Sequence, residues 1–275
     1  MKQLIRAEWE RLWKRRITWI IFALIPVGLF AAATYFQKQN EVTSVDLAQY
    51  AVAGNFPVLG LAEMLFTLFN AILLVFVTLL ITEEYRSGQL RMVMIRTYSF
   101  RKILLAKVMV LLLLVFSFFV VYFCFSYLIG FVMFDSPEMY HLFYHDQPVS
   151  LQGGLFYNLL FYGVSYLTVV ALICILVFIA VISKTTTTAI GAGLSFLLIS
   201  FSYPMILEYF SRLLDKAVYM KIFFSSIPMI QWQGITMMLA ESPQLIGWNL
   251  MVLGCYIVIF SLATLLVVRR KDSFY

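Results

Sequence analysis

The amino-acid sequence predicts an all-α membrane protein: six transmembrane helices, an amphipathic helix ahead of them, and both termini in the cytoplasm. Three observations carry that prediction, namely the composition, the length of the apolar runs and the placement of Lys and Arg. Of 275 residues, 63% are hydrophobic and 12% charged, and the mean hydropathy is +0.91. Soluble domains have about 45–50% apolar and about 25% charged residues, so a water-solvated globule is excluded and the solvent of this chain is lipid. No stretch is polar enough for a separate soluble domain, and residues 1–275 read as a single membrane domain.

A membrane-crossing helix needs about 20 largely apolar residues to cover roughly 30 Å of hydrocarbon. Six runs qualify: Ile17–Phe36, Val58–Thr82, Val108–Phe134, Gly154–Ile182, Thr187–Phe210 and Leu245–Val268. The third is longer than a perpendicular crossing requires, which calls for tilt or projection beyond the bilayer. Cys124, Cys174 and Cys255 all lie within these runs, without metal-ligand or disulfide-framework spacing, and read as buried thiols.

Orientation follows from the basic residues. Lys2, Arg6, Arg11, Lys14, Arg15 and Arg16 precede the first run, and Arg86, Arg91, Arg96, Arg101, Lys102 and Lys107 follow the second. Lys184 separates the fourth and fifth, and Arg269, Arg270 and Lys271 close the chain. The opposite side carries only Lys38, Arg212, Lys216 and Lys221, and the positive-inside rule then puts both termini in the cytoplasm. Two competing readings fail. Ala31-Ala32-Ala33 resembles a signal-peptidase site, but the apolar run before it is of span length. A seventh span over Ala217–Leu239 is opposed by Lys221, Pro228, Gln231 and Gln233. Two short helices divided by Pro228, entering from the outer face within Ser211–Gln244, suit that stretch better.

Met1–Arg16 is amphipathic. At 100° per residue Ile5, Trp9, Leu12 and Trp13 share an arc of about 100°, which suits a helix lying in the membrane interface, Trp at headgroup depth and basic residues near anionic lipid. It serves either as a topology anchor or as a docking element. The segment Glu83–Lys107 is unlike an ordinary loop: after Glu83 to Arg86, Gly88 permits a turn and Leu90–Ile95 is apolar again but too short to cross. Ser99 suits the N-cap of the helix that continues as the third span, with Lys102 where a capping box would have an acid. Gln89–Arg96 therefore reads as a short helix along the membrane, facing either a protein partner or lipid with snorkelling arginines.

This region resembles the segment after the second span in permease subunits of ABC-2 type exporters. The resemblance rests on Glu84-Tyr85-Arg86-Ser87-Gly88, the apolar Leu90–Ile95, Ser99-Phe100-Arg101, and Lys107 at the start of span three. It extends to the amphipathic start, the six spans, the short link between spans four and five and the basic tail. Gln89 and Tyr98 depart from the Thr and Pro frequent there. The resemblance implies a coupling helix in which Glu84, Arg86, Gly88, Leu90, Arg91, Val93, Met94, Arg96 and Arg101 meet an ATPase. It further implies a partner ATPase dimer that holds ATP and Mg, and a second six-span permease, identical or related. Re-entrant outer helices between spans five and six, a bacterial plasma-membrane location and export of a hydrophobic or amphipathic cargo (peptide, lipid or drug) are implied as well. The chain has no G-x-x-x-x-G-K-[ST] motif to cradle phosphate, and no cofactor is expected on it. The competing reading is a membrane interaction or regulatory protein that uses the same cytoplasmic surface without transport.

Glu63, Asn70 and Glu208 interrupt apolar spans. A charge at the bilayer centre costs about 2.5–3.5 kcal/mol on insertion scales, so all three are candidates for a substrate path. Glu63 and Glu208 lie near outer ends, where they reach water, and Asn70 is deep enough to join helices by hydrogen bonds. Pro26 and Pro204 fall inside spans and suggest kinks. Enzymatic readings find no support. His141 and His145 lack the Glu of a zincin, having Leu142 instead, and Glu83-Glu84 lacks the Arg of an intramembrane protease, having Gly88 there. The basic residues flank spans without a recognition fold, which excludes nucleic acid.

Overall fold

The computed structural model describes residues 1–86 and 99–272, and side chains within 1–82 and 99–270. Among the described residues six helices are long and apolar enough to cross a membrane: Arg16–Asn40, Phe56–Thr82, Phe100–Met133, Leu151–Ile182, Thr186–Tyr209 and Ile246–Arg270. They are the first to sixth spans below. Ahead of them Lys2–Lys14 forms the N-terminal helix, ended by Arg15 in extended conformation.

Helix ends follow local chemistry. Pro57 occupies the first turn of the second span, where its missing N–H costs nothing. Ser150 Oγ accepts from the Gly153 N–H at 3.4 Å and starts the fourth span. Thr185 and Thr188 close a reciprocal capping box at the start of the fifth, each hydroxyl accepting from the other's backbone N–H at 3.2 Å. The third span begins at Phe100, well before its apolar run, and its 34 residues extend about 51 Å. Roughly 30 Å of hydrocarbon cannot cover that length, so the helix projects beyond the bilayer. Its base carries Arg101, Lys102 and Lys107, polar residues that an apolar-run criterion leaves out.

The fourth span is the axis of the bundle. Of its most apolar window 61% is buried, against 22% for the fifth and sixth spans. It packs on the second and sixth spans, while the third packs on the first span and the N-terminal helix. The second span is not uniform: a π-helical turn over Leu65–Phe69 separates Phe56–Met64 from Asn70–Arg86. Pro26 and Pro204 lie within helices that continue past them. Cys124 and Cys255 are exposed on the bundle surface and Cys174 is half-buried, which corrects the expectation of buried thiols. In a lipid-solvated protein the outside is as apolar as the core, so an apolar run does not say which way a residue faces.

Between the fifth and sixth spans the chain makes a 3-10 turn (Ser211–Leu213), a helix (Lys216–Phe223), and a second helical piece. That piece comprises Ile227–Met229, a π-helical turn over Ile230–Gly234, and Ile235–Met238. Pro228 sits in its first turn, so Ala217–Leu239 is not one crossing helix.

Two short strands, β1 (Met139–Tyr140) and β2 (Val149–Ser150), pair antiparallel between the third and fourth spans, with Tyr140 opposite Val149. The hairpin is pinned by Tyr140, whose ring lies in a slot between Gly54 and Gly154 and would be overlapped by a methyl group on either. Burial there pushes the Tyr140 phenol well above its ordinary pKa, with Tyr127 adding to the effect. Gly154→Ala is expected to expel the ring and cost about 1–3 kcal/mol as an overpacking substitution. Gly163→Ala in the same helix meets open space and is expected to change stability little. Thermal unfolding of both variants in one detergent checks the contrast.

Candidate functional site

The N-terminal helix is bolted to the base of the third span. Leu4, Glu8 and Leu12, one helical turn apart, form its buried face. Glu8 and Lys107 are 6% and 4% exposed, and the Lys107 Nζ donates to Glu8 Oε2 at 2.8 Å. Arg11 adds a second cation 3.5 Å from Glu8. The other end of the helix is held at its last-turn carbonyls: Leu12 O accepts from the Arg15 N–H and from Thr18 Oγ1 at 2.7 Å, and Trp13 O accepts from Trp19 Nε1 at 2.8 Å. Trp13 makes edge contacts with Trp9 and Trp19 and a tilted contact with Phe22. Helix, turn and first span are thereby one packed unit with the third span. By contrast, the Arg6–Glu10 pair at 3.0 Å is exposed, and such surface pairs contribute little.

Of the face read from sequence, Leu12 is buried and Ile5, Trp9 and Trp13 are partly buried against the protein core. Much of that face therefore packs on protein. Glu8 was missed because a carboxylate counts as polar on a helical wheel. The signal was Lys107, a cation between Ala106 and Val108 at the head of a long apolar run. Buried in that setting it requires a carboxylate, and Glu8 shares the Leu4–Leu12 face.

A second polar junction lies inside the bundle. Asn70 immediately follows the π turn of the second span, and Gln231 lies within the π turn of the segment between the fifth and sixth spans. Asn70 Nδ2 donates to Gln231 Oε1 at 2.7 Å, and Gln231 Nε2 donates to Thr168 Oγ1 of the fourth span at 3.1 Å. Asn70, Thr168 and Gln231 are all buried. Three further side chains from the third and fourth spans donate to carbonyls at the start of the second. Tyr122 OH reaches Gly60 O at 2.9 Å, Tyr162 OH reaches Pro57 O at 2.9 Å, and Asn158 Nδ2 reaches Gly54 O at 2.8 Å. Asn70 thus joins helices, as its depth suggests, while Gln231, read only as an obstacle to a seventh span, is its partner.

Glu63 and Glu208 do not join this junction; both are exposed on the bundle surface, on the second and fifth spans. Those spans meet at their other ends, where the Thr82 and Thr186 hydroxyls lie 2.8 Å apart. Arg101 is half-buried at the start of the third span. The remaining coupling candidates fall outside what is described: residues 87–98 entirely, which include Gly88, Leu90, Arg91, Val93, Met94 and Arg96, and the side chains of Glu84 and Arg86. His141 and His145 lie in the hairpin loop, so their spacing does not put them on one helical face. His145 Nδ1 lies 3.0 Å from Phe143 O, and its ring packs edge-on against Tyr157. Among the described residues no three His, Cys, Asp or Glu side chains gather as metal ligands.

A family of membrane proteins fits this arrangement. Residues 4–201, from the N-terminal helix into the fifth span, match the family described as ABC-2 family transporter protein. The chain belongs to the ABC-2 transporter family. No curated protein matches it. Membership makes it a multi-pass membrane transport subunit of a family whose members work with an ABC ATPase and do not bind ATP themselves. The matched region of this ABC-2 protein contains Glu8, Lys107, Asn70 and Thr168, while Gln231 and the sixth span lie beyond it.

Lys107→Met would leave the Glu8 carboxylate buried beside Arg11 alone and is expected to cost about 3–5 kcal/mol. Replacing both partners, Glu8→Leu with Lys107→Met, is expected to recover most of that loss. Gln231→Leu removes the bridge between Asn70 and Thr168 and is expected to cost about 1–3 kcal/mol. Thermal unfolding followed by Trp fluorescence, which reports on the Trp9–Trp13–Trp19 cluster, measures all three.

Proposed function

We propose that this ABC-2 protein is the permease of an ATP-driven exporter in a bacterial plasma membrane. It pairs with a second six-span permease, and ATP and Mg are held on a separate ATPase dimer. The basic residues at both termini and between spans two and three support an orientation with both termini in the cytoplasm. In that orientation the segment after Phe224, which carries Gln231, enters the bundle from the outer side as a re-entrant element.

The observation that carries the mechanism is the buried Glu8–Lys107 pair. It joins the N-terminal helix to the third span at Lys107, the last residue of the segment 83–107 in which the coupling helix Gln89–Arg96 is proposed. A push by the ATPase on Leu90, Val93 and Met94, oriented by Glu84, Arg86, Gly88, Arg91, Arg96 and Arg101, is delivered to a braced unit and not to a lone loop. The push tilts the second and third spans. The Asn70–Gln231–Thr168 junction carries that tilt to the outer segment, because the second span cannot move without displacing Gln231. Glu63 and Glu208, exposed on the second and fifth spans, face the second permease across the path. An apolar bundle surface with few charges suits a hydrophobic or amphipathic cargo such as a peptide, lipid or drug. Work is extracted only if cargo binds the two conformations with different affinity.

The test is purification in mild detergent from the native host, with mass spectrometry of what accompanies the protein. A stoichiometric P-loop ATPase is expected, and it is expected to be lost when Leu90, Val93 and Met94 are replaced by Asp while membrane insertion persists. Retention of the ATPase by that variant would remove the coupling assignment.

A further inference from the structure

Cations are scarce at the end of the bundle opposite the N-terminal helix, yet three of them gather in one stretch. Arg212, Lys216 and Lys221 fall within ten residues, and Lys38 is the only other Lys or Arg read to that side. Between Ser211 and Phe223 the sequence has one acid, Asp215. All three cations are exposed. Among the described residues none of them pairs with a carboxylate.

The same stretch exposes apolar side chains. Leu213, Val218 and Ile222 are 81%, 44% and 37% exposed. In the helix Lys216–Phe223, Met220 and Phe223 pack against the core, and at 100° per residue Val218 and Ile222 share the opposite face with Lys221. Two hydrogen bonds fix that orientation. Trp248 Nε1 donates to Lys221 O at 2.8 Å, and Tyr203 OH donates to Ile222 O at 2.6 Å. Tyr203 lies six residues before the end of the fifth span at Tyr209, about 9 Å along it. The helix therefore runs back beside that span and carries Val218 and Ile222 to the level of its apolar surface. The Lys221 Nζ lies 5.7 Å from the centroid of the Trp248 ring, a cation–π distance, and Trp marks the headgroup level of a bilayer.

Water does not suit exposed Val218 and Ile222. A protein partner does not suit Lys221 among them, because interface cores are depleted of Lys. A bilayer surface suits both: apolar side chains enter the acyl layer while Lys and Arg stems reach up to phosphate. We propose that Arg212–Ile222 docks on the bilayer surface and holds anionic phospholipid there. Arg212, Lys216 and Lys221 meet the phosphates, and Leu213, Val218 and Ile222 lie among the acyl chains. The contact needs only a bilayer, so it stands apart from ATP coupling and from the transported cargo. It sets the depth of the segment that continues to Gln231.

The experiment attaches bimane to Val218→Cys in the full chain carrying Cys124→Ser, Cys174→Ser and Cys255→Ser. The protein is placed in nanodiscs of phosphatidylcholine and phosphatidylglycerol in equal parts, with one or the other brominated on its acyl chains. Brominated phosphatidylglycerol is expected to quench several-fold more than brominated phosphatidylcholine, and iodide in the water very little. Arg212→Gln, Lys216→Gln and Lys221→Gln together are expected to make the two lipids equal. Bimane on Ile199→Cys, exposed and deeper on the fifth span, is expected to be quenched equally by both lipids. The triple variant is expected to leave that signal unchanged, which shows that it is folded. Quenching at position 218 by iodide and by neither lipid, or protection from all three quenchers as a covering protein chain would give, would overturn the bilayer contact. Equal quenching there by the two lipids in the protein that retains its cations would overturn the role given to Arg212, Lys216 and Lys221.

Discussion

In hydrocarbon no water is available to satisfy a polar group, and each one left unpaired costs several kcal/mol. This constraint organises the whole bundle. Several described amides and hydroxyls within the spans turn inward and pair across helices, and a group of these meets on the fourth span. Asn158, Tyr162 and Thr168 face the second span or the segment that packs on it, and Tyr122 reaches the same helix from the third. The fourth span is central because it carries the polar groups that others must meet. Apolar contact alone would not select it, since lipid competes equally well for Leu and Val.

Two joints follow from that rule, and they differ in kind. The Glu8–Lys107 pair is ionic, largely shielded from solvent, and fixes the N-terminal helix to the third span. Breaking one half of such a pair is costly, although replacing both halves is often neutral. Its value therefore lies in specifying which helix docks where. The Asn70–Gln231–Thr168 chain is neutral and sits between two π-helical turns. Single π turns occur inside helices frequently at functional sites, and here two of them present the amides that meet. One joint fixes the N-terminal helix to the third span; the other ties the second and fourth spans to the segment between the fifth and sixth.

The spans were legible because length and apolarity are one-dimensional properties. All six were placed within a few residues, except that the third helix starts at Phe100, where Arg101, Lys102 and Lys107 hide its base from a hydropathy criterion. That Ala217–Leu239 is not a crossing helix was also legible, because Lys221, Gln231 and Gln233 argue against one. Pairings were not. Asn70 announced that it needed a partner, but nothing local says that the partner is Gln231, 161 residues later. Glu8 was hidden by the convention that acids face water. Facing was misread for Cys124 and Cys255, since lipid erases the difference between an inside and an outside apolar residue. The Tyr140 slot needed Gly54 and Gly154 to come together, a juxtaposition that only the folded chain reveals.

The central claim is that the N-terminal helix and the third span move as one body when ATP is hydrolysed on a partner. Spin labels at Arg6, Leu105 and Ile199, all exposed, allow this to be measured by double electron–electron resonance in a complex with the ATPase proposed to drive it, nucleotide-free and trapped with nucleotide. The account predicts that the separation between positions 6 and 105 stays the same in both states while the separation between 105 and 199 shifts. A change between 6 and 105 as large as that between 105 and 199 would contradict it.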